Sequence, residues 1–174
     1  MSRYKFELFY GSSKAPVKVM SFISTTCTFC SEYMLEDLSK MKVLAKTGKV
    51  QFSFFPFLRS ELDEAVFTNM IASGVNQERA YLNYAPIYLK TRPDQKNYFQ
   101  MINDNAGKIG FSIKPYSQIK NADRIRSNLH FVNGIGRNAW RIKTLPNAII
   151  NGHVMSKPNG GRMVGDIAKI VKKI

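Results

Sequence analysis

Short apolar runs alternate with one amphipathic pattern in the first part of the chain. Val17–Ile23 is a β-favouring run of low polarity, typical of a strand covered on both faces. Lys5–Tyr10 and Val50–Phe55 are two further predicted strands, and the later one ends at Pro56. Between Ile23 and Val50, an apolar stripe at three- and four-residue steps predicts a helix that stops near Gly48, formed by Cys30, Met34, Leu38, Met41 and Ala45. If this helix joins parallel neighbouring strands, its start lies at their carboxyl ends, where open α/β sheets hold their sites.

From Ser60 the pattern changes to helices. Capping and stopping residues predict five of them: Ser60 to Gly74, Asn76 to about Lys90, Asp94 through Ile102 and ending before Gly107, a short one from Lys114-Pro115, and one from Asn121 or Asp123 to about Phe131 or beyond. Aromatic residues at helical spacing are interpreted as core, namely Tyr81, Tyr84, Tyr88, Tyr98 and Phe99. We interpret residues 60–140 as an all-helical subdomain inserted between two parts of an α/β core, 1–59 and 141–174.

The last part of the chain predicts a hairpin and a helix. Asn147–Ile150 and His153–Met155 flank Asn151-Gly152, a pair that favours the positive φ angles of a tight hairpin turn. After a loop at Pro158–Gly161, a final helix carries the apolar stripe Met163, Val164, Ile167, Ile170, Val171 and Ile174.

The only two cysteines of the chain, Cys27 and Cys30, lie at the start of the predicted helix that stops near Gly48. This helix is called the cysteine helix below. Ser24, Thr25 and Thr26 are residue types that cap helices, so Cys27 is expected in or just before the first turn and Cys30 one turn later. Unpaired amides and the helix dipole favour a thiolate there, and Cys-X-X-Cys pairs have pKa values lowered from about 8.5 to roughly 3.5–7.5. Cys27, expected to be exposed, is the predicted nucleophile, and Cys30, facing the core, is the predicted resolving thiol.

Two other uses of a cysteine pair are less favoured. A structural zinc site needs four ligands, and His130 and His153, the only histidines, stand alone. A structural disulfide between residues three apart closes a very small loop and removes little entropy from the unfolded chain. Redox chemistry is therefore the favoured interpretation, with neither metal nor cofactor.

Composition and charge narrow the possible partners. The net charge is +14, from 26 Lys and Arg against 12 Asp and Glu. The segment from residue 108 to residue 143 carries eight basic residues spaced along its length, namely Lys108, Lys114, Lys120, Arg124, Arg126, Arg137, Arg141 and Lys143. Because they are scattered, a solvated surface explains them better than a face for an anionic partner or a membrane. Cations are rarely interleaved with aromatics, so no nucleic-acid binding is predicted.

Three further patterns have simple interpretations. Gly134–Ala139 satisfies G-x-G-x-x-A, but no predicted strand precedes it, so we interpret it as a break between helices. Met1–Tyr10 lacks a cleavage pattern and has charges inside its apolar patch, which is not typical of a signal peptide. No run approaches the ~18 apolar residues of a membrane span. A cytosolic protein and a mature chain both fit.

The order of these elements resembles the thioredoxin fold in its DsbA-like form, that of bacterial thiol:disulfide oxidoreductases of the cell envelope. The specific parts are Ser24 to Cys30, Phe52 to Leu58 and Leu145 to Met155. The resemblance implies that Pro146 is cis and lies beside the cysteines. With Leu145 it would offer backbone hydrogen bonds to an extended substrate. The resemblance also implies a periplasmic protein that acts on cysteine-containing protein substrates, with a possible membrane redox partner of the DsbB type.

Departures from the family pattern adjust these expectations. Ser21 stands six residues before Cys27, where the family often has a buried acid, so any proton relay must use water or another group. The dipeptide Thr28-Phe29, assigned with Leu145 and Pro146 to substrate binding, lacks the histidine of strong oxidants, which predicts a weaker oxidant. Disulfide formation is the preferred activity, also because no dimerisation segment is seen before Tyr4. An isomerase or reductase of the same family, or a non-catalytic binding module, are the alternatives; the oligomeric state stays open.

Overall fold

A mixed five-stranded sheet with the order β1-β3-β2-β4-β5 forms the centre of the fold. The structure, a computed structural model, describes residues 4–155 and 160–174. Its strands are β1 (Leu8–Tyr10), β2 (Val17–Ile23), β3 (Val50–Pro56), β4 (Asn147–Ile150) and β5 (His153–Val154). β2 and β3 are parallel, and the other neighbouring pairs are antiparallel.

The cysteine helix, α1 (Thr28–Ala45), connects the two parallel strands. The register runs from Val17 opposite Val50 to Ile23 opposite Pro56, so both strands end at the same edge of the sheet. The predicted β-α-β unit is therefore confirmed. β1 begins at Leu8 and not at Lys5, because the Lys5 carbonyl and the Glu7 amide bond instead to the side-chain amide of Gln77.

Helices cover both faces of this sheet. Alternate residues of β2, such as Val17, Val19 and Ile23, belong to the main core, in which α1 also takes part. The intervening Phe22 packs in a second cluster with Phe57, Ile142 and Ile149. This double burial explains why β2 reads as an apolar run without strict alternation.

The middle of the chain is helical, as predicted, with shifted boundaries. Its helices are α2 (Glu61–Ala72), α3 (Gln77–Thr91), α4 (Tyr98–Asp104), α5 (Ala106–Ile109) and α6 (Ala122–Gly134), with a 3-10 turn at Tyr116–Gln118. Asn76 caps α3, its side chain accepting the Arg79 amide. Asp94 accepts the Asn97 amide and so opens a turn before α4. The aromatic core is confirmed for Tyr81, Tyr84 and Tyr98, which are buried; Tyr88 and Phe99 are partly buried.

The interpretation of Gly134–Ala139 as a break is wrong. Ile135–Ala139 continues α6 as a π-helical turn that ends before Trp140. A Cβ atom built on Gly136 would lie 3.0 Å from Cε1 of Phe22 and 3.2 Å from Cδ2 of Phe57. Gly136 therefore lets this turn approach the sheet closely.

The C-terminal hairpin is confirmed. Asn151 and Gly152 have φ angles of 46° and 84°, and the Asn151 side chain accepts the Lys18 amide. The final helix, α7 (Gly160–Lys172), packs against α1. Gly160 and Gly161 belong to this helix and not to the predicted loop, whereas Pro158 lies outside the described residues.

The stripe of the final helix is buried at Val164, Ile167 and Val171, but Ile174 is exposed beyond its last turn. Over the described residues, no helix combines the length and the apolarity needed to cross a membrane.

Candidate active site

Cys27 is the residue that caps α1. Its backbone is extended, with φ −112° and ψ 111°, and its Sγ accepts a hydrogen bond from the Cys30 amide at 3.1 Å. Cys27 thus lies just before the first turn, as expected, and both cysteines are free. The expectation that Cys27 is exposed is wrong: the residue is 3% exposed, and Cys30 is fully buried.

The Ser24–Thr26 segment does not cap α1, because its polar groups are bonded to Asp63 instead. The Asp63 carboxylate, fully buried in the first turn of α2, accepts the hydroxyls of Ser24 and Thr25 at 2.8 Å each. It also accepts the amide of Thr26 at 3.0 Å and its hydroxyl at 3.0 Å. Both oxygens of the buried Asp63 carboxylate therefore have hydrogen-bond donors. The segment before Cys27 is fixed in this way to the helices α2 to α6, called the helical block below.

Two tyrosines of α3 hold the same segment from its carbonyl side. The hydroxyl of Tyr81 donates to the Ser24 carbonyl at 3.0 Å, and that of Tyr84 donates to the Thr25 carbonyl. Tyr84 and Tyr98 also share a hydrogen bond of 2.6 Å between their hydroxyls. Because these rings are buried, every hydroxyl needs a partner, and the active-site loop provides two.

The two thiols differ in acidity. Hydrogen bonding from the Cys30 side chain is the largest effect on Cys27 and lowers its pKa; burial opposes it, and the Cys30 amide and the Arg59 charge add to the lowering. Burial raises the pKa of Cys30 well above the ordinary value of a thiol. This arrangement favours ionisation of Cys27 before that of Cys30.

Leu145 and Pro146 lie at the sheet edge where the cysteine helix begins. The peptide bond between them is cis, as the family resemblance implied. Phe22 pairs with Asn147 in the antiparallel register of β2 and β4. Pro146, the residue before Asn147, therefore lies at the end of the sheet where β2 leads to Cys27. Pro146 is buried and Leu145 partly buried.

The two residues between the cysteines are accessible. Phe29 is 67% exposed and Thr28 is partly buried. An exposed phenyl ring next to the predicted nucleophile provides apolar contact area at the mouth of the site.

Ser21 is fully buried, and its hydroxyl lies 3.2 Å from the Tyr33 hydroxyl. Burial raises the pKa of Tyr33 above its ordinary range. Tyr33 is therefore protonated at neutral pH, and this pair supplies hydroxyl groups where the family often has an acid.

The predicted basic residues are partly engaged in local contacts. Arg126 pairs with Glu64 and stacks over Tyr116, and Arg137 donates to the Leu58 carbonyl at 2.7 Å. His130 lies 3.1 Å from Glu64. These contacts favour a structural use of several cations over a shared binding face.

Sequence reasoning missed Asp63, Tyr81 and Tyr84 as parts of the site. Asp63 belongs to an acidic first turn of a helix, which alone indicates a favourable helix dipole. The tyrosines follow a helical period and indicate core only. Their common target, the segment before Cys27, becomes visible when the helical block is placed against the sheet.

Comparisons with known proteins agree with this fold. The Thioredoxin family model matches residues 4–167. Among solved structures, a protein-disulfide isomerase from Novosphingobium aromaticivorans is 15% identical with a TM-score of 0.75, and the alignment covers 97% of this chain and 98% of that one.

Two further structures are similar over most of their length. Wolbachia pipientis alpha-DsbA1 is 17% identical with a TM-score of 0.71, covering 96% of this chain and 92% of that one. BdbD from Bacillus subtilis, in its oxidised form, is 18% identical with a TM-score of 0.65, covering 95% and 90%. No curated protein sequence matches the chain.

The fold and the paired cysteines define a thioredoxin-like protein with added helices. The chain belongs to the thioredoxin family, and it shares its fold with the three solved structures described above. The predicted fold class and the family resemblance are thereby confirmed. The division into 1–59, 60–140 and 141–174 stays a prediction.

Proposed function

We propose that this protein is an enzyme that exchanges dithiols and disulfides on cysteine-containing protein substrates, with disulfide formation as its main activity. The observation that carries the proposal is the arrangement of the two thiols: Cys27 caps α1 and its Sγ accepts the Cys30 amide at 3.1 Å, whereas Cys30 is fully buried one turn later. This arrangement lowers the pKa of Cys27 and raises that of Cys30. A thiol of low pKa is a good leaving group, and stabilising the reduced form makes the disulfide an oxidant.

In the oxidising direction, a substrate thiolate attacks Cys27 Sγ in the Cys27–Cys30 disulfide. The bond between the two enzyme sulfurs breaks, a mixed disulfide forms, and Cys30 leaves and takes up a proton because burial disfavours its anion. A second substrate thiolate then attacks the substrate sulfur and expels the Cys27 thiolate. The substrate loses two electrons and the enzyme gains them.

Four residues around Cys27 are proposed to bind the substrate. Leu145 and Pro146 would receive an extended polypeptide along the end of the sheet, in the manner of a short added strand. The exposed ring of Phe29 and the partly buried Thr28 would contact side chains next to the substrate cysteine. This assignment is supported by the shared sheet edge and by the exposure of Phe29.

A periplasmic location and reoxidation by a membrane protein of the DsbB type complete the proposal. Disulfide formation requires an oxidising compartment. The enzyme must also pass its two electrons to an acceptor after each turnover. These two requirements of the proposed chemistry support both points.

The test uses the oxidised enzyme and a reduced peptide with two cysteines. The expected result is peptide disulfide formation that Cys27→Ser abolishes and that Cys30→Ser arrests, because this variant cannot form the enzyme disulfide. Retention of activity by Cys27→Ser contradicts the proposal.

Isomerisation is the second candidate. The neighbour from Novosphingobium aromaticivorans is a protein-disulfide isomerase by name. Reactivation of scrambled ribonuclease and reduction of insulin, measured beside peptide oxidation, separate the activities. An oxidase accelerates peptide oxidation most, whereas an isomerase accelerates ribonuclease reactivation without added oxidant.

A further inference from the structure

A cavity of about 350 Å³ opens between the active-site loop, at Thr26, and the helical block. Its lining includes Thr26, Arg59, Ser60, Tyr88, Pro93 and Gln95. Thr26 is the chain neighbour of Cys27. Tyr88 stacks on Tyr84 with 5.6 Å between ring centroids, and the Tyr84 hydroxyl donates to the Thr25 carbonyl of the active-site loop. The lining of the cavity thus reaches the residue directly before the predicted nucleophile.

Arg59 is the only charged residue of this lining. Its side chain is exposed, and its Nη1 donates to the Thr26 carbonyl at 3.2 Å, which holds the guanidinium at the cavity. A guanidinium has five N–H donors, so this bond leaves donors for another acceptor. Across residues 4–155 and 160–174, no carboxylate lies within ion-pair distance of Arg59.

The neighbouring carboxylate is already engaged. Asp63 accepts the backbone amide of Arg59 at 2.9 Å, together with the hydroxyl and amide donors of Ser24, Thr25 and Thr26. Asp63 is fully buried, so it anchors the Arg59 backbone without lining the cavity. The side-chain charge of Arg59 is left to face a polar cavity without an anion of its own.

We propose that Arg59 and this cavity form a subsite for a carboxylate next to the reacting cysteine of the substrate. The subsite rests on the proposed function and adds a substrate class to it, namely polypeptides with Asp or Glu beside the cysteine. A guanidinium binds a carboxylate through two parallel hydrogen bonds, a geometry that an ammonium does not provide.

The test follows one turnover of the reduced enzyme, which consists of two exchange steps. Each peptide carries a cysteine joined to 2-thiopyridine by a disulfide. The Cys27 thiolate attacks the peptide sulfur and expels 2-thiopyridone, which absorbs light; Cys30 then attacks Cys27, forms the enzyme disulfide and releases the peptide thiol. The enzyme loses two electrons, and the peptide disulfide gains them.

Four peptides are compared, as two pairs. The members of a pair differ only in having Glu or Gln beside the cysteine, and the pairs differ in whether that residue comes before or after the cysteine. The wild-type enzyme is expected to react about three- to fivefold faster with the Glu peptide at low salt, at one position at least. Arg59→Gln is expected to bring this ratio to about one, and Arg59→Lys to retain part of it. Arg79→Gln removes one exposed cation elsewhere and should leave the ratio unchanged.

The outcomes separate this subsite from the proposed function. Equal rates for Glu and Gln peptides with the wild-type enzyme overturn the subsite, as does an unchanged ratio in Arg59→Gln. A loss in Arg59→Gln that is the same for both peptides shows that Arg59 acts on Cys27 alone, which also overturns it. The absence of Cys27-dependent release from every peptide instead overturns the proposed function.

Discussion

At the scale of single residues, the two cysteines differ in the direction in which their pKa values are shifted. The Sγ of Cys27 accepts a hydrogen bond from the Cys30 amide, and the positive charge of Arg59 lowers the Cys27 pKa. Cys30, in contrast, is fully buried. Asp63 raises the pKa of both thiols by its negative charge. The same residue fixes the loop before Cys27 through hydrogen bonds to Ser24, Thr25 and Thr26, so its role is structural.

Replacing Asp63 by alanine should therefore destabilise the protein. The change removes the acceptor of the Ser24 and Thr25 hydroxyls and of the Arg59 backbone amide. Unsatisfied buried donors cost about 1–3 kcal/mol each, so a loss of about 3 kcal/mol or more in the free energy of unfolding is expected. Urea titration followed by circular dichroism measures it.

Asp166→Ala is the matched control. Its carboxylate is 48% exposed and pairs with Lys169, at 3.2 Å, one turn further along α7. A surface pair of this kind contributes roughly 0–1 kcal/mol. Equal effects of the two substitutions would show that Asp63 does not hold the active-site loop.

At the scale of elements, the close approach of the π-helical turn to the sheet depends on Gly136. Gly136→Ala places a methyl group 3.0 Å from Phe22, which is itself buried. Overpacking of this kind costs about 1–3 kcal/mol. The urea midpoint of Gly136→Ala is expected to fall accordingly.

Gly107→Ala is the control at this scale. A Cβ atom at Gly107, within helix α5, meets nothing within 4 Å. Alanine is favoured over glycine in helices by up to about 1 kcal/mol, so this variant should be as stable as the wild type or more stable. Destabilisation by both substitutions to the same extent would contradict the packing argument for Gly136.

The elements also show how far the sequence leads. Val17–Ile23, the cysteine helix and the Asn151-Gly152 hairpin follow from local pattern and turn chemistry, and all three are confirmed. Gly134–Ala139 was misinterpreted because glycine is a poor helix former in isolation, whereas here its lack of a side chain fits a tertiary contact. The burial of Cys27 and the role of Asp63 depend on how distant segments meet, which no local pattern contains.

At the scale of the whole molecule, the helical block and the α/β part share one core. A single cluster contains Val19 and Phe54 of the sheet with Tyr81, Met101 and Ile125 of the helices. The active-site loop is fixed by Asp63, Tyr81 and Tyr84 of the block. The inserted segment therefore completes the core and the site.

A shared core predicts a single cooperative unfolding transition. Trp140, the only tryptophan, packs on the second cluster against the sheet, whereas circular dichroism reports mainly on the helices. The two signals should give the same midpoint in urea. Separate midpoints would indicate that the helices unfold independently of the cluster on which Trp140 packs.

The most direct test of the central claim is alkylation of the reduced protein by iodoacetamide across a pH series, with mass spectrometry to identify the modified cysteine. Only the thiolate reacts, so the rate falls as the pH drops through the pKa of the thiol. The account predicts that Cys27 is modified first, with an apparent pKa below the ordinary ~8.5 of a thiol, and that Cys30 is protected. A Cys27 pKa at or above that value, or faster modification of Cys30, would contradict it.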